Sequence, residues 1–150
     1  MYGPLIIDIE GIRVSNREHA ILQHKTVGGV ILFTRNYQNI IQLQSLVKEI
    51  RDISGKPLLI MTDHEGGRIW RFNQDFNRVP AANSFGITYD VDPKLALEQA
   101  TTAGKTIAAE LMACGIDLTL APVLDLNSGH SSVIGDRSFH ADPTIVTELA

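Results

Sequence analysis

The sequence predicts an α/β protein built on a parallel sheet, and three observations support this fold class. Four short apolar runs, at residues 4–9, 27–33, 57–61 and 116–126, lack polar alternation, which is typical of strands covered on both faces. Segments with a helical period of apolar residues separate these runs. Polar residues cluster where each run ends, at the edge where parallel α/β sheets bind ligands. They are Asp8, Glu10, Arg35, Asp63 and Asp125.

The helices are defined by their start and stop signals. Residues 16–24 form a short and weaker helix candidate. Asn39 is an N-cap candidate for an amphipathic helix that the Ser-Gly-Lys-Pro stretch at 54–57 ends. Asp92, followed by proline, begins a longer helix whose apolar stripe reaches Cys114, and Asp142 repeats this start signal. The alternation of strands and helices favours about four βα units.

Two connections, at residues 65–89 and 127–142, are expected to be long loops. Connections of this length are more often functional than not. Gly28 and Gly29 lie inside the second strand and indicate close packing against a neighbouring element, because no phosphate-binding motif surrounds them. Cys114 lies on an apolar helix stripe, which favours a buried structural thiol.

Composition excludes several classes of protein. The 150 residues are 44% hydrophobic and carry a formal net charge of −4, so neither a nucleic acid nor a membrane surface is an expected partner. The single cysteine, the lack of a signal-peptide pattern and the lack of a long apolar run make the cytoplasm the expected location. The five histidines show no metal-ligand spacing, so no metal is expected. The sequence also lacks a dinucleotide-binding glycine pattern, and no cofactor is expected.

The densest polar cluster directly follows the third predicted strand, at residues 63–71. Asp63 can accept hydrogen bonds from two hydroxyl groups while Arg71 donates to others, a combination suited to a polyhydroxylated ligand. A salt-bridge network that pins the loop explains the same residues equally well. Arg137, in the segment after the fourth strand, offers a further guanidinium, although a loop ion pair is there the stronger interpretation.

Four segments together resemble the bacterial β-N-acetylhexosaminidases of glycoside hydrolase family 3. They are residues 29–37 (GVILFTRNY), 63–72 (DHEGGRIWRF), 121–125 (APVLD) and 135–139 (GDRSF). The resemblance covers nearly the whole chain, in the family's order and spacing. His64 stands where the family usually has Gln, and Asp136 where it has Glu.

The resemblance implies the N-terminal half, about four βα units, of a (β/α)₈ TIM barrel. Such a barrel takes roughly 250 residues, so residues 1–150 are expected to be the truncated N-terminal part of a catalytic barrel. Asp63, Arg71 and Arg137 match positions that bind the terminal sugar. The implied reaction is the retaining removal of N-acetylglucosamine from muropeptides or small saccharides during peptidoglycan recycling. The catalytic Asp and His of the family are expected beyond Ala150, so the fragment alone is expected to be inactive.

Three alternatives remain open at this point. One is a family 3 β-glucosidase with a different sugar preference. Another is a non-catalytic sugar-binding or structural half-barrel, whose first and fourth strands leave edges that invite self-association. The third is a phosphate-binding barrel.

Overall fold

A computed structural model describes residues 2–150 and has the predicted alternation of strands and helices. The elements are β1 (Leu5–Ile7), α1 (Asn16–Gln23), β2 (Val27–Leu32), a 3₁₀ turn (Thr34–Asn36), α2 (Ile40–Ser54), β3 (Leu59–Thr62), α3 (Ala82–Tyr89), α4 (Pro93–Ala113), β4 (Leu118–Thr119), a second 3₁₀ turn (Gly135–Arg137) and α5 (Pro143–Leu149). None of the helices in residues 2–150 is long and apolar enough to cross a membrane.

The chain divides into two compact units. The first unit contains the residues up to 63, together with 71–76 and 110–119; the second contains residues 64–70, 77–109 and 120–150. All four strands belong to the first unit and form one parallel sheet in the order β1-β2-β3-β4. Strands that neighbour each other in chain order are typical of a barrel, whereas a doubly wound sheet reverses its order at a switch point. The predicted fold class, α/β with the four βα units of an N-terminal half-barrel, is confirmed.

The central strands hold the core of the first unit. β2 and β3 pair from Gly29 opposite Leu59 to Leu32 opposite Thr62, and most of their side chains are buried. A β-carbon added to Gly28 would lie 1.9 Å from the carbonyl oxygen of Gly3, so the expectation of close packing at this glycine is confirmed. One face of α2 is buried, with Leu43, Leu46, Val47 and Ile50.

The outer strands differ from the expectation that every strand is covered on both faces. Leu5 and Ile6 of β1 are 52% and 57% exposed, and Leu118 of β4 is 44% exposed. In the part of the chain that the structure describes, β1 and β4 each have only one neighbouring strand in the sheet. β4 is also shorter than the predicted run of 116–126, and Pro122, which has no N–H to donate to a ladder, follows soon after it.

The second unit has its own apolar core. Phe85, Ala96, Phe139, Val146 and Leu149 form a buried cluster that joins α3, α4, α5 and the segment before α5. α3 lies inside residues 65–89, which the sequence predicts to be a loop, so that prediction is wrong for its last eight residues. The helix packs against the Gly135–Arg137 turn and α5, and these contacts stabilise a segment with little helical preference of its own.

Candidate functional site

Charged residues and one aromatic residue that come after β1, β2 and β3 in the sequence lie in the first unit. We call Asp8, Phe33, Arg35, Asp63 and Arg71 the strand-end array. The Nε of Arg71 donates to Oδ1 of Asp63 at 2.6 Å, and its Nη2 donates to the second carboxylate oxygen. The side chains of Asp63 and Arg71 are 23% and 27% exposed, so the ion pair is reachable from solvent without being fully hydrated. The structure therefore brings together two of the three predicted sugar-binding residues.

Asn36 fixes the backbone that carries Arg35. Its buried side chain accepts a hydrogen bond from the Phe33 N–H at 2.8 Å and donates to the carbonyl oxygens of Ile9 and Gly11 at 3.1 and 2.8 Å. The Nε of Arg35 also donates to Ile9, at 3.1 Å, and its Nη2 pairs with Asp8. The ends of β1 and β2 are thereby tied together at this edge of the sheet.

The third predicted residue, Arg137, lies in the second unit and has a different carboxylate partner. Its Nε and Nη2 donate to the two oxygens of Glu65 at 2.9 and 2.6 Å, and the Glu65 side chain is only 9% exposed. Arg68 forms a second ion pair in the same unit, in which its Nε donates to Oδ1 of Asp136 at 2.8 Å. We call these four residues the loop clasp. The structure thus contains the loop ion pair that the sequence favours for Arg137.

Tight backbone turns place the loop clasp. Gly66 and Gly67 have φ angles of +100° and +54°, which residues with a side chain rarely adopt. The N–H groups of Glu65 and Gly66 both donate to the carbonyl of Ile69, which closes a turn that brings the chain back on itself. On the other side, Nη2 of Arg68 donates to backbone carbonyls of residues 132–134.

His64, which stands where the resembling family has Gln, is fully buried in the second unit. Its ring lies 4.4 Å, centroid to centroid, from that of Trp70. In residues 2–150 no three His, Cys, Asp or Glu side chains are grouped as a metal site requires. Burial, together with the negative charge of Glu110, raises the pKa of the Cys114 thiol, in agreement with the structural role predicted for it.

Sequence reasoning places Asp8 at a strand end, as observed, but it does not identify Glu65 or Phe33 as members of these groups. Glu65 lies two residues after Asp63 in the same motif, so its position was a usable signal, but its partner Arg137 is 72 residues away. A bidentate pair uses two of the five N–H donors of a guanidinium, and each carboxylate oxygen accepts more than one hydrogen bond. Both ion pairs are therefore compatible with further hydrogen bonds to the hydroxyl groups of a ligand.

Comparison with known protein families gives one match over nearly the whole chain. Residues 5–150 match the family model described as "Glycosyl hydrolase family 3 N terminal domain". Two similar curated proteins are each named "Beta-hexosaminidase". The one from Bordetella avium is 49% identical over 149 residues, and the one from Chromobacterium violaceum is 50% identical over 148. These alignments cover 99% of this chain but 43% and 42% of the relatives, so the chain spans about two fifths of their length.

Two solved structures also resemble the chain over nearly all of its length. NagZ from Neisseria gonorrhoeae, solved in complex with N-trifluoroacetyl-D-glucosamine, superposes with a TM-score of 0.96 at 46% identity. The match covers 99% of this chain and 44% of that one. A family 3 β-N-acetylglucosaminidase from Paenibacillus sp. str. FPU-7 gives a TM-score of 0.89 at 31% identity, over 97% of this chain and 28% of the other.

Proposed function

We propose that this chain, which belongs to the Glycosyl hydrolase family 3 N-terminal domain family, forms the N-terminal part of a β-N-acetylhexosaminidase. The observation that carries the proposal is its likeness, over almost all its residues, to a NagZ structure solved with an N-acylated glucosamine. Since the chain spans about two fifths of its curated relatives, the activity belongs to a longer protein that contains it.

In this proposal Asp63, Arg71 and Arg137 bind the terminal sugar. Asp63 accepts hydrogen bonds from sugar hydroxyls, and the two guanidinium groups donate to hydroxyl or acetamido oxygens. The bidentate geometry of both arginines supports this role, because a guanidinium already held by a carboxylate loses little further freedom when a ligand arrives.

The finer parts of the proposal rest on the resemblance described above. The substrate is a peptidoglycan fragment that ends in N-acetylglucosamine, and the protein works in the cytoplasm without a cofactor. Catalysis is a retaining double displacement by an Asp and a His in the part of the protein after Ala150. The 150 residues alone release no sugar.

A chimera tests the proposal directly. Residues 1–150 of this chain are joined to the part of the Bordetella avium relative that follows its matching segment. We expect the chimera to hydrolyse 4-nitrophenyl N-acetyl-β-D-glucosaminide, and Asp63→Asn to lower kcat/KM about 30- to 100-fold. The matched control is Asp52→Asn, which removes an exposed carboxylate that pairs with Lys48 on α2 and leaves the activity unchanged.

Three results would count against the proposal. The chimera could be folded yet inactive while the parent relative is active, or Asp63→Asn could behave like the control. A preference for nitrophenyl glucoside over the N-acetylglucosaminide would indicate the β-glucosidase alternative. For the chain alone, nitrophenol release that survives further purification and disappears in Asp63→Ala would contradict its expected inactivity.

The exposed sheet edges favour a second candidate, a structural half-barrel that self-associates. Leu5, Ile6 and Leu118 lie on the two outer strands and are each more than 40% exposed. Exposed apolar edge strands are templates for pairing with another chain. Sedimentation of the isolated 150-residue chain separates the outcomes, because self-association predicts a dimer or larger species and a monomer at all concentrations contradicts it.

A further inference from the structure

Two guanidinium groups of the strand-end array lie over the same aromatic ring. The central carbon of the Arg35 guanidinium is 4.8 Å from the centroid of the Phe33 ring, and that of Arg71 is 5.6 Å from it. Both distances fall within the range of about 6 Å in which a cation is attracted to the ring's electrons. Phe33 directly follows β2, at the edge where the ligand-binding residues are proposed to lie.

Each of the two positive charges has a carboxylate from a neighbouring strand end. Asp8 pairs with Arg35 and Asp63 pairs with Arg71, so the two cations over the ring are compensated. The Arg35 side chain is further held by its hydrogen bond to Ile9. The ring, the two arginines and the two aspartates therefore form one continuous set of contacts across the ends of β1, β2 and β3.

Phe33 is distinct from the aromatic core beside it. Tyr37, Phe72 and Phe76 pack together with ring centroids 5.2 to 5.8 Å apart, and Phe72 and Phe76 are buried. Phe33 is only partly buried, and its ring contacts the guanidinium groups of Arg35 and Arg71. A ring that served packing alone would gain more from the apolar core than from this polar edge.

We propose that Phe33 and Arg35 are positioning residues for Arg71. The Phe33 ring fixes the plane in which the Arg71 guanidinium lies, and Arg35, anchored by Asp8, holds the ring. The inference rests on the proposed sugar-binding role of Arg71 and deepens it, since the end of β2 then sets the geometry of a residue that follows β3. Neither Phe33 nor Arg35 needs to touch the sugar.

The chimera with the Bordetella avium relative provides the assay. Phe33→Leu removes the ring but keeps an apolar side chain, and we expect KM to rise about 3- to 10-fold with little change in kcat. Phe33→Tyr keeps the aromatic ring, and its KM is expected to equal that of the unsubstituted chimera. Phe76→Leu is the matched control, because it makes the same change in the neighbouring core and is expected to lower stability without a selective rise in KM.

A double variant distinguishes positioning from simple packing. If Phe33 acts through Arg71, then adding Phe33→Leu to Arg71→Gln causes no further rise in KM. A KM effect of Phe33→Leu that persists undiminished in the Arg71→Gln background would overturn the inference. An Arg71→Gln variant with normal kcat/KM would instead contradict the proposed function, so the two failures can be told apart.

A measurement on the unliganded chain gives a second readout that does not depend on activity. The guanidinium carbon of Arg71 lies 5.6 Å from the centroid of the Phe33 ring, so the NMR resonance of the Arg71 Nε–H proton is expected to shift when Phe33→Leu removes the ring current. The Nε–H resonance of Arg51, which lies on α2, serves as the internal reference. An unchanged Arg71 resonance in a folded variant would contradict the contact on which the inference is built.

Discussion

Among the glycines of the second unit, Gly86 on α3 leaves the least room for a side chain, and replacing it should destabilise that unit. A β-carbon at residue 86 would lie 1.9 Å from the carbonyl oxygen of Phe139 and 3.0 Å from its carbonyl carbon. Atoms in contact prefer separations of about 3.5 Å, so helix and segment must move apart by more than about 1 Å. Both neighbours are backbone atoms of Phe139, a core residue, so a change of side-chain rotamer cannot relieve the clash.

The size of the effect follows from two opposing contributions. Overpacking costs about 3 kcal/mol at the upper end of its usual range, while alanine gains about 1 kcal/mol over glycine in a helix. We therefore expect Gly86→Ala to lower the free energy of unfolding by about 2 kcal/mol. Gly104 is the matched control, since it lies on α4 with nothing within 4 Å of an added β-carbon. Gly104→Ala should stabilise the chain by about 0.5 to 1 kcal/mol.

Urea unfolding of the chain measures both variants. A loss of 2 kcal/mol corresponds to a midpoint lowered by about 1 M for a typical dependence on urea. Phe139 is two residues from Arg137, so Gly86→Ala should also raise KM in the chimera. A Gly86→Ala midpoint equal to that of the original chain, with Gly104→Ala shifted upwards as expected, would mean that α3 does not lie against the Phe139 carbonyl.

Three further predictions concern single side chains. Glu65→Gln in the chimera should raise KM about tenfold, because it loosens Arg137, and an unchanged KM would contradict the positioning of that arginine by Glu65. Burial pushes the pKa of Glu18 up, but hydrogen bonds from Ser15 and Glu10 outweigh it and lower the pKa. The stabilisation by Glu18 is therefore present above the pKa of the unfolded state and is lost as the pH falls through the lowered pKa of the folded state. As the pH is lowered from 6 to 3, the urea midpoint should decrease less steeply in Glu18→Gln than in the original chain. Cys114, buried and with a raised thiol pKa, should react with a thiol reagent at least about 100-fold more slowly in the folded chain than in urea, and rapid labelling without urea would contradict this.

The elements that local signals define could be predicted from the sequence. Asn39 and Asp142 cap their helices as expected, accepting hydrogen bonds from the N–H groups of Gln42 at 2.9 Å and Thr144 at 2.8 Å. Proline at the first turn of α5 and glycine after α2 mark further boundaries. These signals act over three or four residues, so one sequence is sufficient to detect them.

The elements that depend on distant partners could not be predicted in the same way. α3 contains a glycine and β-branched residues, and Phe85 becomes buried only through contact with Phe139 and the helices around it. The exposure of β1 depends on its place in the sheet, which its apolar run does not encode. The pairing of Glu65 with Arg137 joins residues that no local pattern relates. The sequence thus predicts which polar residues lie at the strand ends but not which carboxylate pairs with each arginine.

The ion-pair interpretation and the sugar-binding interpretation of Asp63 and Arg71 are not exclusive. A partly exposed ion pair contributes about 1 kcal/mol or less to stability, so pinning a loop is a weak reason for a bidentate geometry at this edge. Holding a guanidinium ready for a ligand is a stronger one, because the side-chain freedom is lost on folding and not on binding. The two roles predict effects of different size. If the pair mainly serves sugar binding, neutralising Asp63 should weaken the free energy of sugar binding by more than it lowers the free energy of unfolding. If stability falls by more than affinity does, the pair serves the loop and the sugar-binding role belongs to other residues.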